Sequence, residues 1–322
     1  MHILVTGGAG FIGSHLCDRL LDSGHSVTAF DDLSTGSPEN LGKARGHRKF
    51  RFVRGSVLDP GLTGRLIRRA DAVAHLAAAV GVMLVVKSPV RTIETNIRGT
   101  EVVLEAAAKR KVPVLIASTS EVYGKGAKVP FAEDDDSVLG PPDHGRWAYA
   151  ASKLVDEFLG LAYWRERKLP VVVARLFNTV GPRQSGRYGM VLPRFVQQAL
   201  GGGPITVYGD GRQTRCFAHV DDVTRALERL LASDRARGRA FNVGSDEEIS
   251  MGALARLVRR RTKSKAAIRL VPYRRAYGEG FEDLRRRVPD ISRIRRLLGW
   301  KPSHSLEEIV DSITSHLATD DR

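Results

Sequence analysis

The sequence predicts an α/β chain: a doubly wound parallel sheet with a smaller, mostly C-terminal α/β lobe. Three observations predict it. A short apolar run ending in Ile3-Leu-Val-Thr6 leads straight into the glycine-rich turn Gly7-Gly-Ala-Gly10-Phe-Ile-Gly13. Apolar, strand-like runs then alternate with amphipathic stretches as far as Leu176, the rhythm of successive βαβ units. Beyond that point Gly181-Pro-Arg183, Gly201-Gly-Gly203-Pro204 and Gly209-Asp-Gly211 break the chain into short pieces.

The elements follow in order. A strand at 2–6 meets glycines at 8, 10 and 13 (G-x-G-x-x-G), while 7, 10 and 13 also fit G-x-x-G-x-x-G. Such spacing gives a tight turn with no Cβ in the way, so that a pyrophosphate can rest on the N-terminus of the helix expected at 11–23. The next strand, 26–30, ends in Asp31, 18 residues past Gly13, where an acid can hold adenosine ribose hydroxyls. Together these specify a Rossmann dinucleotide site. A strand at 50–53 runs into Gly55-Ser-Val-Leu-Asp59, a loop placed to flank an adenine ring. After a helix at 62–69, the strand at 72–76 ends in His75-Leu-Ala-Ala-Ala79, at the carboxyl edge where ligands bind. A helix at 90–110, a strand at 113–118, a helix at 147–167 and a strand at 171–176 complete the series. Later helices are expected at 189–200, 221–233, 250–261, 290–298 and 305–318. No second glycine fingerprint occurs there. Residues 1–177 are therefore expected to bind the dinucleotide and carry the catalytic helix; 178–322 mainly shape a substrate pocket, with some chain crossing back to the sheet.

At 322 residues, 42% hydrophobic and 27% charged, the chain can bury a large core. No apolar run approaches the length of a membrane span, and the first reads as a strand rather than a signal peptide. Cys17 and Cys216 offer neither a disulfide framework nor zinc spacing, so a cytoplasmic, metal-free protein is expected. The net charge of +15 raises the question of nucleic acid. Its arginines, dense at Arg256, Arg259 to Arg261, Arg285 to Arg287, Arg293, Arg295 and Arg296, lack aromatic interleaving or a nucleic-acid motif. Solvated faces and an anionic small substrate account for them, and neither a nucleic-acid nor a membrane partner is expected.

Tyr149-Ala-Ala-Ser-Lys153 places a phenol and an ammonium four residues apart, on one face of a helix. The lysine lowers the phenol's pKa and can hold a nicotinamide ribose, leaving a phenolate able to deprotonate a sugar hydroxyl. The strand end Ser118-Thr-Ser-Glu121 supplies the hydroxyls of Thr119 and Ser120 and the carboxylate of Glu121.

With these residues in view the chain resembles the extended short-chain dehydrogenase/reductases, in their nucleotide-sugar epimerase, dehydratase and decarboxylase group. The resemblance rests on TGGAGFIG (6–13), FDDLSTG (30–36), HLAA (75–78), STSEVYG (118–124), YAASK (149–153) and RLFNTVGPR (175–183). It continues through ITVYGDG (205–211), RCFAHVDDV (215–223), FNVG (241–244) and RRVPDISRIRRLLGW (286–300). It implies NAD on Gly7, Gly10, Phe11, Ile12, Gly13 and Asp31, with Lys153 on the ribose; Asp31 disfavours a 2′-phosphate. Asp32, Ser56, Val57, Leu76, Ala77, Ala78 and Asn96 join these contacts, although Ser56 and Asp32 stand where relatives often have Asp and Asn. A UDP-sugar would meet Asn178 at its pyrophosphate and Arg215 and Arg287 at phosphates or uridine, with Val191, Thr206 and Tyr208 flanking the uracil. A homodimer through the helices near 90–110 and 147–167 is also implied.

The resemblance implies that Tyr149 deprotonates the C4 hydroxyl while NAD takes the C4 hydride. Dehydratases have Asp-Glu where this chain has Ser120-Glu121, which argues against dehydration. Glu121, Arg146-Trp147-Ala-Tyr149 and Arg287-Val-Pro289 look like uronate decarboxylases, whereas Gly181 to Met190 resembles a bacterial 4-epimerase group. Arg187, Thr119 and Ser120 form the candidate carboxylate clamp. A clamp that keeps the carboxylate near the sugar plane suppresses CO2 loss, so 4-epimerisation of UDP-glucuronate or a close UDP-hexose is favoured over decarboxylation. A non-catalytic NAD sensor and an RNA-associated relative are the readings outside this class.

Overall fold

The structure is a computed structural model and describes residues 1–80, 88–186, 190–277 and 284–320. In the first half β1 (His2–Thr6), α1 (Phe11–Asp22), β2 (Ser26–Asp31), β3 (Phe50–Arg54), α2 (Pro60–Ile67) and β4 (Ala72–His75) alternate. They are followed by α3 (Pro89–Ala108), β5 (Val114–Thr119), α4 (Trp147–Arg167) and β6 (Val171–Leu176). The second half begins with β7 (Thr179–Val180), α5 (Val191–Leu200), β8 (Ile205–Tyr208), β9 (Thr214–Cys216), β10 (Ala218–His219) and α6 (Val220–Ala232). It ends with β11 (Arg239–Val243), β12 (Glu248–Ser250), α7 (Met251–Arg261), β13 (Ile268–Val271), α8 (Tyr273–Tyr277), α9 (Ser292–Leu298) and α10 (Leu306–Asp320).

Seven strands form one parallel sheet in the order β11-β6-β5-β4-β1-β2-β3. The chain winds outward in both directions from β1 and β4, and their carboxyl ends open a crevice, the usual ligand position of such sheets. Val171 to Ala174 of β6 are fully buried, as a strand covered on both faces requires. Leu16 and Leu20 of α1 pack with Val223, Leu227 and Leu230 of α6 on one face. Ile67, Val103 and Leu104 pack with Ile116 and Val173 on the other. Each fully buried Val or Leu stabilises the fold by roughly 1.5–3 kcal/mol. A separate core joins Leu192, Phe195, Leu254, Val258, Ile309 and Val310, drawn from α5, α7 and α10.

The expected strands and long helices appear with shifts of a few residues. One shift has a clear cause: α2 starts at Pro60 because the Asp59 carboxylate accepts from the Leu62 N–H and caps it. An α/β second half with chain crossing back to the sheet was expected, but the positions of the strands after β6 were not. Six of them form two-stranded sheets, β10 with β7, β12 with β9 and β13 with β8. The seventh, β11, returns to the main sheet beside β6.

Candidate active site

A cleft of about 1490 Å³ runs from the glycine turn across the strand ends to the second half of the chain. Its floor at the turn is backbone. Gly7 has φ +68°, donates its N–H to the Phe30 carbonyl at 2.8 Å, and would drive a Cβ to 2.8 Å from the Ala77 nitrogen. A Cβ on Gly13 would lie 2.0 Å from the Gly7 carbonyl oxygen. The N-cap of α1 is Gly10, which makes no side-chain cap. The first turn of α1 thus presents backbone N–H groups to the cleft, lined there by Gly7, Gly10, Phe11, Ile12 and Gly13. Asp31 holds this rim: its carboxylate accepts from the Ala9 N–H at 3.0 Å and the Leu33 N–H at 2.8 Å. Burial pushes the Asp31 carboxyl above its ordinary value, the backbone N–H groups opposing.

Asp32, Ser56, Val57, Leu76, Ala77 and Ala78 also line the cleft. Asp59, expected beside the adenine position, is occupied as the cap of α2. Asn96 lies behind the wall, accepting from the Ala79 N–H at 2.8 Å and donating to Ser152 Oγ at 3.0 Å. The residues present therefore fit a dinucleotide: a Cβ-free cradle, uncapped N–H groups and an acid at the end of β2.

At the ends of β5 and α4 stand Thr119, Ser120, Glu121, Arg146 and Tyr149. Tyr149 is half-buried and hydrogen-bonded to Thr119. Burial and the Glu121 charge push its phenol above the ordinary value, with Thr119 opposing. Glu121 Oε1 lies 2.6 Å from Arg287 Nη1, and Oε2 lies 3.5 Å from Arg146 Nη2. Burial opposes ionisation of Glu121, yet Arg287 and Arg146 hold its carboxyl below the usual carboxylate range. Lys153 is buried beneath this surface, with Nζ 2.6 Å from Asp156 Oδ2.

On the far side, Asn178 donates to the Cys216 carbonyl at 2.9 Å. Arg215 donates from one nitrogen to the Thr214 and Leu284 carbonyls at 2.7 and 2.8 Å. Both line the cleft with Arg287, Val191 and Tyr208. Arg194 stacks on Tyr208 with its guanidinium carbon 3.8 Å from the ring centre. Thr206 lies outside the lining; its N–H donates to Gln198 Oε1 at 2.9 Å. Arg187, of the expected carboxylate clamp, lies outside the described residues.

Arg146 was noted in the sequence only as part of a decarboxylase-like segment; its pairing with Glu121 depends on how the turn after β5 packs against α4. Arg194, Gln213 and Tyr273 reach the cleft from α5, the loop before β9 and α8, and no local pattern announces them.

The sequence pattern of the GDP-mannose 4,6 dehydratase family matches residues 4–313. The chain belongs to the extended short-chain dehydrogenase/reductases of nucleotide sugars. Among family members it is 41% identical over 308 residues to the UDP-N-acetyl-alpha-D-glucosaminuronate decarboxylase of Bacillus cytotoxicus, covering 95% of this chain and 94% of that one. It is 37% identical over 309 residues to UDP-glucuronic acid decarboxylase 1 of Xenopus tropicalis, covering 95% of this chain and 69% of that one. Its fold matches the UDP-glucuronic acid 4-epimerase of Bacillus cereus, solved with UDP-glucuronic acid and NAD, at TM-score 0.89 and 29% identity over 99% of both chains. The cofactor of this chain is NAD, and the chain is an enzyme acting on nucleotide sugars.

Proposed function

We propose that this enzyme oxidises a UDP-hexuronate at C4 and releases CO2 from the resulting 4-keto sugar. The observation that carries this reading is the Glu121 carboxylate held between Arg287 and Arg146 beside Tyr149. A uronate epimerase must retain the carboxylate through the β-keto acid stage, which calls for a cation that grips it. Among the described residues Arg287 is already neutralised by Glu121, whose own negative charge disfavours a second carboxylate nearby. Both effects favour departure of CO2. The decarboxylase relatives support the same choice, including the substrate class, a UDP-glucuronate or its N-acetylated counterpart.

Bound NAD supplies the hydride acceptor for C4. The chain's own residues do the rest. Tyr149 takes the O4 proton, Thr119 orients the phenol, and Lys153 on the same helical face favours the phenolate. Arg215 and Asn178 bind the diphosphate and Tyr208 the uracil, arginine suiting phosphate through its planar fork. When the carboxylate leaves, its bonding electrons pass through C5 to the C4 oxygen, and C5 takes up a proton.

The second reading is the 4-epimerisation favoured above, supported by the fold match to the Bacillus cereus epimerase. Incubation with UDP-glucuronate and, separately, its N-acetylglucosaminuronate counterpart, followed by mass spectrometry and NMR, separates the two. Loss of CO2 is expected. An isobaric product inverted at C4 makes the enzyme an epimerase and overturns the decarboxylase reading.

A homodimer accompanies this proposal. Val90 and Ile93 of α3 and Val155 and Phe158 of α4 are exposed, Phe158 to 64%. The two helices pack side by side, so their apolar outer stripes form one surface suited to a second copy.

A further inference from the structure

Tyr149, Lys153 and Asp156 stand at i, i+4 and i+7, a single stripe along α4. The first reaches the cleft and the second is buried just behind it. The third is fully buried, its carboxylate 2.6 Å from the Lys153 ammonium. We propose that Asp156 is a positioning residue that holds Lys153 in place behind the cleft and sets the pH at which Tyr149 becomes a base. This inference rests on the reading of Tyr149 and Lys153 as the proton-transfer pair.

One principle and one comparison within the molecule support it. A buried ion pair gives little net stability, because desolvation offsets the attraction, so its position is informative. The neighbouring pair, Arg175 with Glu157, is tied down: Arg175 makes three contacts to the carboxylate and one to the Glu133 carbonyl. Lys153, in contrast, has Asp156 as its hydrogen-bond partner among the described residues. It keeps donor capacity for a ribose or for the phenol above it. The stripe sets the ammonium one helical turn from Tyr149 and the carboxylate one turn further on, so the carboxylate tempers the lysine's effect on the phenol.

The other charged groups around the stripe are accounted for. Glu121, at the end of β5, is paired with Arg287 and Arg146. Glu157 is committed to Arg175. His75 on β4 is buried between Thr6 and Thr100, and burial followed by the Lys153 charge pushes its imidazole down to about 3, leaving it neutral. The α3 side chains facing α4 here, Asn96 and Thr100, are uncharged. Asp156 is thus the carboxylate placed to act on Tyr149 through Lys153.

The test is a pH titration of the Tyr149 phenolate by ultraviolet absorbance in the NAD-loaded enzyme, with Tyr149→Phe as the blank. Asp156→Asn is expected to move the midpoint down by roughly one pH unit, since a like charge is removed, and Asp156→Glu to restore it. Asp156→Thr serves as a second neutral variant if Asn fails to fold, folding being checked by circular dichroism. A midpoint unchanged or raised in a folded neutral variant overturns the proposal. The measurement needs no substrate, so a shift without turnover of any UDP-hexuronate would sink only the substrate assignment. Absence of any titration that Tyr149→Phe removes would instead sink the proton-transfer pair.

Discussion

At Tyr149 burial and the Glu121 carboxylate both oppose loss of the phenolic proton, while Thr119 works in the other direction. In the proposed mechanism, positive charge from Lys153 and from bound NAD would tip this balance. Tyr149→Phe should therefore reduce turnover of a UDP-hexuronate at least about 100-fold, with NAD content of the purified protein unchanged; near-normal turnover would contradict the role. Glu121→Gln keeps the shape and removes the charge, freeing Arg287 to grip a substrate carboxylate. CO2 release should slow at least tenfold, a prediction on the order of one lost charge interaction, while KM for the uronate falls; steady-state CO2 assays check both. Much of this site was legible at the residue scale because the informative pairs are local. The glycine turn and the Tyr149–Lys153 spacing each lie within one element. Arg287 reaches Glu121 only through tertiary packing, so the sequence showed an arginine and an acid but not their neutralisation of each other.

Among the elements, α6 shows how a short segment is fixed in place. Asp222, in its first turn, is buried and accepts from the Ser303 N–H and hydroxyl at 3.0 and 2.6 Å and from the His304 N–H at 3.1 Å. Arg225 and the His304 ring complete the cluster. Burial opposes the charge, but these donors hold the carboxyl well below the usual carboxylate range. A depressed folded-state value contributes stability that is fully present above the ordinary carboxylate pKa and is lost as pH falls towards the folded value. Asp222→Asn should accordingly destabilise the protein by about 2–3 kcal/mol at neutral pH. The gap between variant and parent should narrow in acid, as read from urea unfolding at pH 7 and pH 3. The long helices and the first six strands were readable from periodicity. The two-residue and three-residue strands were not, since so short a run carries no period.

For the whole molecule, the exposed stripe on α3 and α4 sets the expected assembly. Phe158→Arg places a charge in the middle of that surface and should convert a dimer to a monomer in multi-angle light scattering. A wild-type monomer would remove the proposal outright. The excess of basic residues is concentrated partly on α7, where Arg256, Arg259, Arg260 and Arg261 are exposed. The expectation of solvated faces is consistent with this, and Arg261 pairs with Asp311 across to α10.

The return of β11 to the outer side of β6 bears on how such a chain can be cut or recombined. Severed after Phe177, the N-terminal piece would keep every glycine of the turn and the whole Tyr149 helix, yet expose Val171-Val-Val-Ala174 as a bare edge. An uncovered apolar strand of that kind recruits strands from other molecules. Asn242 adds a second tether from the same strand, accepting from the Tyr123 hydroxyl at 2.7 Å and donating to the Phe131 carbonyl at 2.9 Å. A chimaera that borrows a new sugar pocket from a relative must therefore splice around residues 239–243, leaving them with the nucleotide half, or it inherits an aggregating fragment instead of a new specificity.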